Sequence, residues 1–386
     1  MQSRIPGRGS FVSALIFLLC ATAPARAQWQ MERSGTTAAL RGIHAVNAET
    51  AWASGTGGTV LRTLDSGQHW QSCAVPRGAE KLDFRSIWGW DADHAMVMSS
   101  GPGAEARLYS THDGCRTWRL VFTNPDADGF WDSLQFDGVR FGVILGDPVQ
   151  GSFTMFVTYN GGGQWTRLVH PCLRTMDPKQ GAFAASNQSL VIVPLQDANN
   201  SAPGTSTDHQ IWFGTSGGWL YGFELAPLEL ISAPGGDFAA DGCTHVRALP
   251  NELKDSGGIF AVAFHDTTNG VAVGGDYSQP QDSSRTAAFT TNSVHWQVAA
   301  HPPSGYRSTV AWNPSDASWI AAGPTGSDIS RDNGKSWQPL DRGNWNAISL
   351  PFIVGPDGRI ARLISWGQLR VMNQAPTAVV AASAKD

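Results

Sequence analysis

Short runs of β-forming residues alternate along the chain with turns that contain Gly, Asn or Asp. The first stretch shows the pattern most clearly, with RGIHAV (41–46), TAWASG (50–55), TVLRTL (59–64) and HWQSCAV (69–75) following one another. Runs of this length and composition, bounded by such turns, are typical of β-strands. The pattern therefore predicts a unit of four short strands.

An octet of the form Thr-x-Asp-x-Gly-x-x-Trp lies between the third and fourth strands of this unit, and copies of it recur. The copies are TLDSGQHW (63–70), THDGCRTW (111–118), TYNGGGQW (158–165), the shortened TTNSVHW (290–296) and SRDNGKSW (330–337), with GTSGGW (214–219) as a remnant. A period of about 40 to 50 residues is typical of four-stranded propeller blades. A catalytic device needed once would hardly be copied five times, so we interpret the octet as a structural turn.

Each octet residue has a predicted role in that turn. The carboxylate or amide accepts backbone N–H bonds, the Gly adopts a positive φ, and the Trp packs within or between blades. The residues assigned these roles are Asp65, Gly67, Trp70, Asp113, Trp118, Asn160, Gly162, Trp165, Asn292, Trp296, Asp332, Gly334 and Trp337.

Seven such units can be counted. Their first strands are predicted to begin near Arg41, Arg85, Asp132, Gln180, Gly257, Arg307 and Asn346. The seventh unit has three candidate strands and no octet, whereas WQMERSG (29–35) resembles a single fourth strand ahead of the first unit. We therefore predict an all-β, seven-bladed β-propeller whose N-terminal strand completes the last blade and leaves no sheet edge exposed. Six blades is the alternative, because residues 220–256 are irregular and rich in Pro and Gly.

The N-terminal residues have the pattern of a secretory signal peptide. Two arginines precede an apolar run from residue 11 to about residue 22, and small residues flank a cleavage point before Gln28. The run is too short to span a bilayer. We predict a signal peptide at 1–27, a propeller at 28–373, a disordered tail at 374–386, and a secreted or periplasmic product. Lipidation at Cys20 is disfavoured because Leu19 fits that processing site poorly.

Composition narrows the classes of partner. The formal net charge is −5, charged residues make up 15% of the chain, and Lys and Arg form no cluster. A mildly acidic protein of this kind is not suited to nucleic acid or anionic lipid. We expect a soluble monomer that neither inserts into a membrane nor binds nucleic acid.

Four cysteines follow the predicted signal peptide, an even number that suits an oxidising compartment. Cys73 lies in the outer strand of the first unit and Cys115 replaces Gly in the octet of the second, so neighbouring blades could bring them together. Cys172 with Cys243 is the weaker remaining pair. Four free, buried thiols are the alternative.

The octet resembles the Asp-box, or BNR, repeat of sialidases, other glycosidases, sortilin-like receptors and photosystem II assembly factors. AWASGTGGTVLRTLDSGQHW and VAVGGDYSQPQDSSRTAAFTTNSVHW are most similar to the assembly factors. The resemblance covers most of residues 29–373 and implies a β-propeller of the sialidase-like superfamily. It implies little about activity, because enzymes and non-enzymes share the repeat.

The sequence offers little support for catalysis. The one Arg-Ile-Pro motif, which in sialidases binds the substrate carboxylate, lies at residues 4–6 within the predicted signal peptide. The chain has no metal-binding, Walker or nucleophile-elbow motif and its His residues are scattered, so we expect no metal and no cofactor.

Candidate binding residues come from their positions in the repeat. Arg41, Arg85, Arg307 and Asp132 are predicted to begin innermost strands, at one mouth of the central channel. Asp147 and Asp276 are predicted to lie in loops of the same face. We predict a non-catalytic binding or assembly module with a protein partner or anionic ligand at this mouth. The alternatives are a wet channel whose polar residues pair with one another, and a glycoside hydrolase that uses Asp147 and Asp276.

Overall fold

A computed structural model of the chain describes residues 28–195, 208–225, 242–249 and 256–364. These residues form 28 strands in seven antiparallel four-stranded sheets, together with two single-turn 3₁₀ helices, Gly103–Glu105 and Pro171–Leu173. The predicted signal peptide (1–27) and the predicted tail (374–386) lie outside the described residues. Within the described residues, no helix has the length and apolar character needed to cross a membrane.

Six blades each use four consecutive strands. Blade 1 contains β2 (Leu40–Ala45), β3 (Ala51–Gly55), β4 (Val60–Thr63) and β5 (Gln71–Ser72). Blade 2 contains β6 (Asp83–Gly89), β7 (Ala95–Ser100), β8 (Arg107–Thr111) and β9 (Arg119–Thr123). Blade 3 contains β10 (Trp131–Asp137), β11 (Phe141–Val149), β12 (Ser152–Thr158) and β13 (Thr166–Arg167).

The next three blades follow the same order. Blade 4 contains β14 (Leu190–Pro194), β15 (His209–Gly214), β16 (Trp219–Leu225) and β17 (Thr244–Arg247). Blade 5 contains β18 (Gly257–Phe264), β19 (Gly270–Asp276), β20 (Ala287–Thr290) and β21 (Trp296–Val298). Blade 6 contains β22 (Thr309–Asn313), β23 (Ser318–Gly323), β24 (Gly326–Ser330) and β25 (Gln338–Asp341).

The seventh blade combines both ends of the described chain. It contains β26 (Ala347–Ser349), β27 (Phe352–Val354), β28 (Ile360–Ile364) and β1 (Gln28–Glu32). β1 pairs antiparallel with β28, from Gln28 opposite Ile364 to Glu32 opposite Ile360. The prediction of seven blades closed by an N-terminal strand is therefore confirmed.

The hydrophobic core is divided among the interfaces between blades. Seven buried clusters of described residues each join two neighbouring blades, including the seam between blades 7 and 1. The tryptophan of each octet lies in, or packs against, the cluster shared with the preceding blade. These are Trp70, Trp118, Trp165, Trp296 and Trp337. The ring is therefore held by flat aromatic side chains at each interface.

The octets form hydrogen-bonded turns of one design. In the first, the Thr63 hydroxyl donates to Asp65 Oδ1 (2.9 Å), and the same carboxylate oxygen accepts from the His69 N–H (2.9 Å). The N–H of Gly67 donates to Thr63 Oγ1 (3.0 Å). Equivalent bonds are made by Asp113, Asn160 and Asp332. In the shortened octet of blade 5, Asn292 makes the corresponding bonds.

The fifth position of the octet faces the preceding blade. Gly67 has φ +85°, and a Cβ there would collide with the carboxylate of Glu32 in blade 7. Cys115 has the equivalent place in blade 2, with φ +64°, and its sulfur bonds to Cys73 of blade 1. The side chain that replaces Gly therefore links the two blades covalently.

A second disulfide joins Cys172, in the 3₁₀ helix after blade 3, to Cys243, just before the outer strand of blade 4. Its Cα atoms are 5.2 Å apart, compared with 5.3 Å in the first disulfide. Both distances lie in the ordinary range for disulfides.

Two predicted strand starts need correction. The fourth blade begins at Leu190 and not near Gln180, and the sixth begins at Thr309, two residues after Arg307. Residues 181–189 do not pair as a strand, because they lie inside the channel and bond to several blades.

Candidate functional site

The mouth of the channel is the end at which the innermost strands begin. Four of these strands have a register shift close to their start, at Arg41, Arg85, Asp132 and Phe260 in blades 1, 2, 3 and 5. Such bulges change the direction of a side chain relative to the regular ladder. Repeat position thus brings two arginines, one carboxyl group and one aromatic ring to equivalent places.

Arg41 is half-buried at this mouth, and no described carboxylate lies within 4 Å of its guanidinium nitrogens. Its buried Nε has no hydrogen-bond partner among the described residues. Burial lowers the pKa of Arg41 and neighbouring Arg85 lowers it further, while Asp83 and Tyr306 act in the opposite direction. Because arginine stays protonated in proteins, Arg41 is a fixed and incompletely solvated cation.

Arg85 is the second cation of the mouth, and it is partly paired. Its Nε donates to Asp83 Oδ2 (2.8 Å), and its guanidinium also donates to the Ala184 carbonyl (3.3 Å). The guanidinium carbon lies 5.9 Å from the ring centroid of Phe130. Its side chain remains 27% exposed, so part of it is accessible to a ligand.

Arg307 does not join these cations, and the prediction of three arginines around one opening is wrong for it. Its side chain is 1% exposed and lies 2.5 Å from Asp328 Oδ2 through one guanidinium nitrogen. The guanidinium also donates to Asp328 through Nε (2.7 Å) and to the Tyr306 carbonyl (2.9 Å). Arg307 is therefore engaged inside the fold.

Arg307 is buried because the start of the innermost strand in blade 6 differs by one residue of register from that in blade 1. Gly42 pairs with Ser54, the residue before the glycine that ends β3, and Thr309 pairs with Ala322, the residue before the glycine that ends β23. Ser308, and not Arg307, consequently stands where Arg41 stands. Side chains alternate between strand faces, so this shift sends Arg307 towards the interior of the blade.

Asp132 lies beneath the mouth instead of lining it. It is 1% exposed, and its Oδ2 has no hydrogen-bond partner among the described residues. Burial raises its pKa well above the ordinary value; nearby Asp147 adds to the rise and Arg85 opposes it. Asp132 is thus buried and is not the accessible ligand contact that the sequence predicted.

Asp147 and Asp276 both accept hydrogen bonds from nearby backbone N–H groups. Asp147 Oδ1 accepts the N–H of Ala182 (2.9 Å), while Asp276 Oδ1 accepts the N–H (2.8 Å) and hydroxyl (2.6 Å) of Ser278. Burial raises the pKa of Asp147, and the bond from Ala182 opposes that rise. These contacts give both carboxyls a role in holding backbone.

Residues 181–189, which we call the plug, cross the channel below the mouth. The Asn187 Oδ1 accepts from the Leu134 N–H (3.0 Å) in blade 3, and its Nδ2 donates to the Ile87 carbonyl (3.5 Å) in blade 2. Gln188 reaches the other side, where it accepts from the Val310 N–H (3.0 Å) and donates to the Ile348 carbonyl (2.9 Å). The Gln188 carbonyl also accepts from blade 5.

The plug therefore bonds to the innermost strands of blades 2, 3, 5, 6 and 7 and divides the channel into two ends. Sequence reasoning missed it, because it treated residues near Gln180 as a strand. One signal was present: GAFAASNQS (181–189) consists mainly of small and polar residues and has no alternation of large apolar ones.

An aromatic shelf lies beside the two arginines. It consists of Phe183 of the plug, Phe260, Tyr277 and Tyr306. Phe183 stacks on Phe260 with ring centroids 3.6 Å apart, and Phe260 meets Tyr306 edge-on at 4.6 Å. Tyr277 continues the shelf outward and is 56% exposed. Phe260 and Tyr306 are buried, so Tyr277 supplies most of the accessible aromatic surface beside the cations.

Away from the mouth, His170, Cys172 and Cys243 place possible metal-ligand atoms within 4.8 Å of one another. Both sulfur atoms belong to one disulfide, so neither is a thiolate that could bind a metal. In the disulfide-bonded state, Cys172 and Cys243 link blades 3 and 4.

Comparisons with known proteins bear on the fold. No protein-family model matches the chain, and no curated protein matches its sequence. Among solved structures, YCF48 bound to D1 peptide is similar with a TM-score of 0.53 and 14% identity, over 87% of this chain and 96% of that one. YCF48 from Cyanidioschyzon merolae gives a TM-score of 0.53 and 21% identity, over 87% and 98%.

A third similar structure is the WD40 β-propeller domain of Doa1, with a TM-score of 0.54 and 11% identity, over 89% of this chain and 99% of that one. All three identities are too low to carry over a function. What the chain shares with YCF48 and with the WD40 domain is the β-propeller fold.

Proposed function

We propose that the protein is an exported, non-catalytic binding module whose mouth captures an anionic segment of a partner protein. The observation that carries this proposal is Arg41, a half-buried cation with no carboxylate within 4 Å among the described residues. A cation that has lost water without gaining a partner is stabilised when an anionic group binds to it. Arg85 lies close enough to add its charge.

The surroundings of Arg41 support a peptide as the ligand. Protein interfaces draw much of their binding energy from arginine and aromatic side chains that become buried together. Arg41 and Arg85 are flanked by the aromatic shelf and by Phe130. A peptide with both acidic and apolar side chains would therefore match the mouth better than a simple anion.

The structural neighbours support the same class of partner by analogy. One of the similar YCF48 structures holds a D1 peptide, which shows that a propeller of this fold can bind a peptide. The analogy concerns the class of ligand only, and the partner of this chain is to be identified through the chemistry of its own mouth.

Export is supported by the predicted signal peptide and by two disulfides, which are typical of oxidising compartments. We assign no hydrolysis to the mouth. Asp147 and Asp276, the carboxyls considered for a glycosidase, each bind backbone N–H groups of neighbouring segments.

The test is selection from a displayed library of random peptides on the purified exported protein. Acidic residues should be enriched among the selected peptides, and the best of them should bind more weakly as salt is added, because charge contacts are screened over about 8 to 10 Å at physiological ionic strength. The Arg41→Ala/Arg85→Ala variant should bind these peptides at least about tenfold more weakly.

The matched control is Arg119→Ala, which removes an exposed arginine from the outer strand of blade 2. It changes net charge without touching the mouth, so its binding should equal that of the wild type. Equal loss in both variants would show a non-specific charge effect. Full binding by the double variant would remove the mouth from the proposal.

A further inference from the structure

The plug leaves a second compartment at the other end of the channel. A half-open cavity of about 220 Å³ lies between the plug and the ends of the innermost strands. Its walls include Asn187 and Gln188 of the plug, together with His44, Trp88, Gln135 and Ser349 from blades 1, 2, 3 and 7. His44, Trp88 and Ser349 lie near the ends of their strands, so this cavity opens away from the mouth.

The size of the cavity limits what can occupy it. Pockets for drug-sized ligands usually measure about 300 to 1,000 Å³. A volume of about 220 Å³ is below that range, although it would hold several water molecules at about 30 Å³ each. The volume therefore limits any ligand to a single small ring or a molecule of similar bulk.

The charge of the cavity points to a neutral ligand. No Lys, Arg, Asp or Glu is among the residues that line it. His44 is neutral as well: its Nδ1 accepts the N–H of Gly89 (3.3 Å), and burial lowers its pKa to about 4. A charged ligand would lose its hydration here without gaining a counter-charge.

Among the described residues, the hydrogen bonds made by the lining residues leave several polar groups without a partner. Gln135 uses one N–H on the Asn187 carbonyl, which leaves its other N–H and its own carbonyl oxygen. Gln188 uses one N–H on Ile348, which leaves the second. Ser349 Oγ accepts from the Ala45 N–H and can still donate its proton. Once Nδ1 of His44 accepts a bond, the neutral ring carries its proton on Nε2.

Aromatic surface completes the lining. Trp88 is half-buried, and its ring centroid lies 3.9 Å from that of His44 with the planes inclined at 35°. Donors and an acceptor beside an aromatic surface suit a ring that carries several hydroxyls, because hydroxyls both donate and accept while the C–H face of the ring is apolar.

We propose that this cavity, which we call the lower site, binds a neutral hydroxylated ring of monosaccharide size. It is a second site, separated from the mouth by the plug, and it does not depend on the peptide-binding function proposed above. Water alone is the competing occupant, and it would leave the same donors satisfied.

The experiment is saturation-transfer NMR on the whole exported protein with neutral monosaccharides, namely glucose, galactose, mannose and N-acetylglucosamine. At least one should bind saturably with a Kd in the roughly millimolar range or tighter. At mildly acidic pH, where glucuronate is ionised and glucosamine is fully protonated, these charged analogues should bind at least about tenfold more weakly. Failure of all four neutral sugars to bind would overturn the proposal, as would equal binding of charged and neutral sugars.

Two variants locate the binding. Gln135→Leu removes the unused polar groups of Gln135 together with its bond to Asn187, at similar size. It should weaken sugar binding at least about tenfold while its melting temperature shows that the protein is folded. If this variant is unstable, Ser349→Ala provides the same test with a smaller change. Arg41→Ala, at the mouth, should leave sugar binding unchanged. Sugar binding that both lower-site variants retain in full would contradict the assignment.

Discussion

Arg41 and Arg307 are the second residues of two similar motifs, LRGI and YRST, yet they lie in opposite environments. Arg307 is buried against Asp328 in blade 6, whereas Arg41 has no described carboxylate within 4 Å at the mouth of blade 1. The difference is one residue of register at the start of the innermost strand. A single position along a strand therefore decides whether an arginine stabilises the fold or is left for a ligand.

The strongest test of this comparison is to remove the buried arginine, Arg307. Arg307→Ala leaves the Asp328 carboxylate buried, and among the described residues only the N–H and hydroxyl of Ser304 still donate to it. Removing one partner of a buried pair typically costs about 3 to 5 kcal/mol. We expect a loss of this size in the free energy of unfolding, measured by urea titration.

The control replaces both charges. An Arg307→Met/Asp328→Leu variant contains no uncompensated charge, so it should recover a large part of the lost stability. A loss below about 1 kcal/mol for Arg307→Ala would be typical of an exposed pair and would contradict the buried position of Arg307.

Glu32 extends the comparison to an acidic group at the seam between blades 7 and 1. It accepts from the Trp70 indole N–H (3.0 Å) and lies 3.4 Å from Arg362 Nε. Burial raises its pKa from 4.5 to about 7, although Trp70 and Arg362 oppose the rise. The folded state therefore binds a proton that the unfolded state releases between about pH 4.5 and 7.

The sign of the pH effect follows from this proton. The stabilising contribution of Glu32 is full below about pH 4.5, decreases as the pH rises towards 7, and is lost above that value. Glu32→Gln keeps an acceptor for Trp70 and cannot ionise, so above pH 7 it should be more stable than wild type by about 1 to 3 kcal/mol. Urea midpoints of both proteins across this pH range check the prediction, and parallel curves would contradict it.

A smaller effect on the free energy of unfolding is expected for substitutions in the octets. Their carboxylate and amide groups are hydrogen-bonded, as Arg307 is, but they lie near the surface. Asp332 accepts from the Ser330 hydroxyl (2.9 Å) and from the N–H (2.9 Å) and hydroxyl of Ser336. Asp332→Ala should lower the free energy of unfolding by about 1 to 2 kcal/mol. Ligand binding at the mouth should persist wherever the variant is folded.

The chain supplies its own control for this prediction. Asn160 holds the octet of blade 3 with an amide oxygen that accepts the Gln164 N–H (3.0 Å). Asp332→Asn should therefore retain most of the stability that Asp332→Ala loses. Loss of binding without a change in melting temperature would make the octet a functional site.

The fold could be predicted because the sequence pattern that specifies it recurs along the chain. The octet and the strand runs around it indicate the same architecture at several positions, and the single strand before the first unit indicates how the ring closes. The disulfide partner of Cys115 could also be predicted, since Cys115 replaces the Gly that faces the preceding blade. Repetition makes such local patterns reliable.

The site was harder to predict, because its features do not repeat. The plug occurs once, and its residues bond to blades that are distant in the sequence. The bulge position of Arg41 and the interior position of Arg307 differ by a register that only strand pairing reveals. The burial of Asp132 near Asp147 and Arg85 depends on the three-dimensional packing of the blade, which no spacing in the sequence predicts.

The smallest effect on stability is expected at Arg41. Its removal tests the second half of the comparison, namely that this arginine is not needed for the fold. Arg41→Ala removes a cation that burial and Arg85 both disfavour, so the free energy of unfolding should stay within about 0.5 kcal/mol of wild type. Binding of an acidic peptide should nevertheless fall at least about tenfold. Arg41→Lys should restore only part of the affinity, because lysine lacks the planar fork of donors that matches a carboxylate. A stability loss comparable to that of Arg307→Ala would mean that Arg41 holds the fold as well, and the distinction between the two arginines would fail.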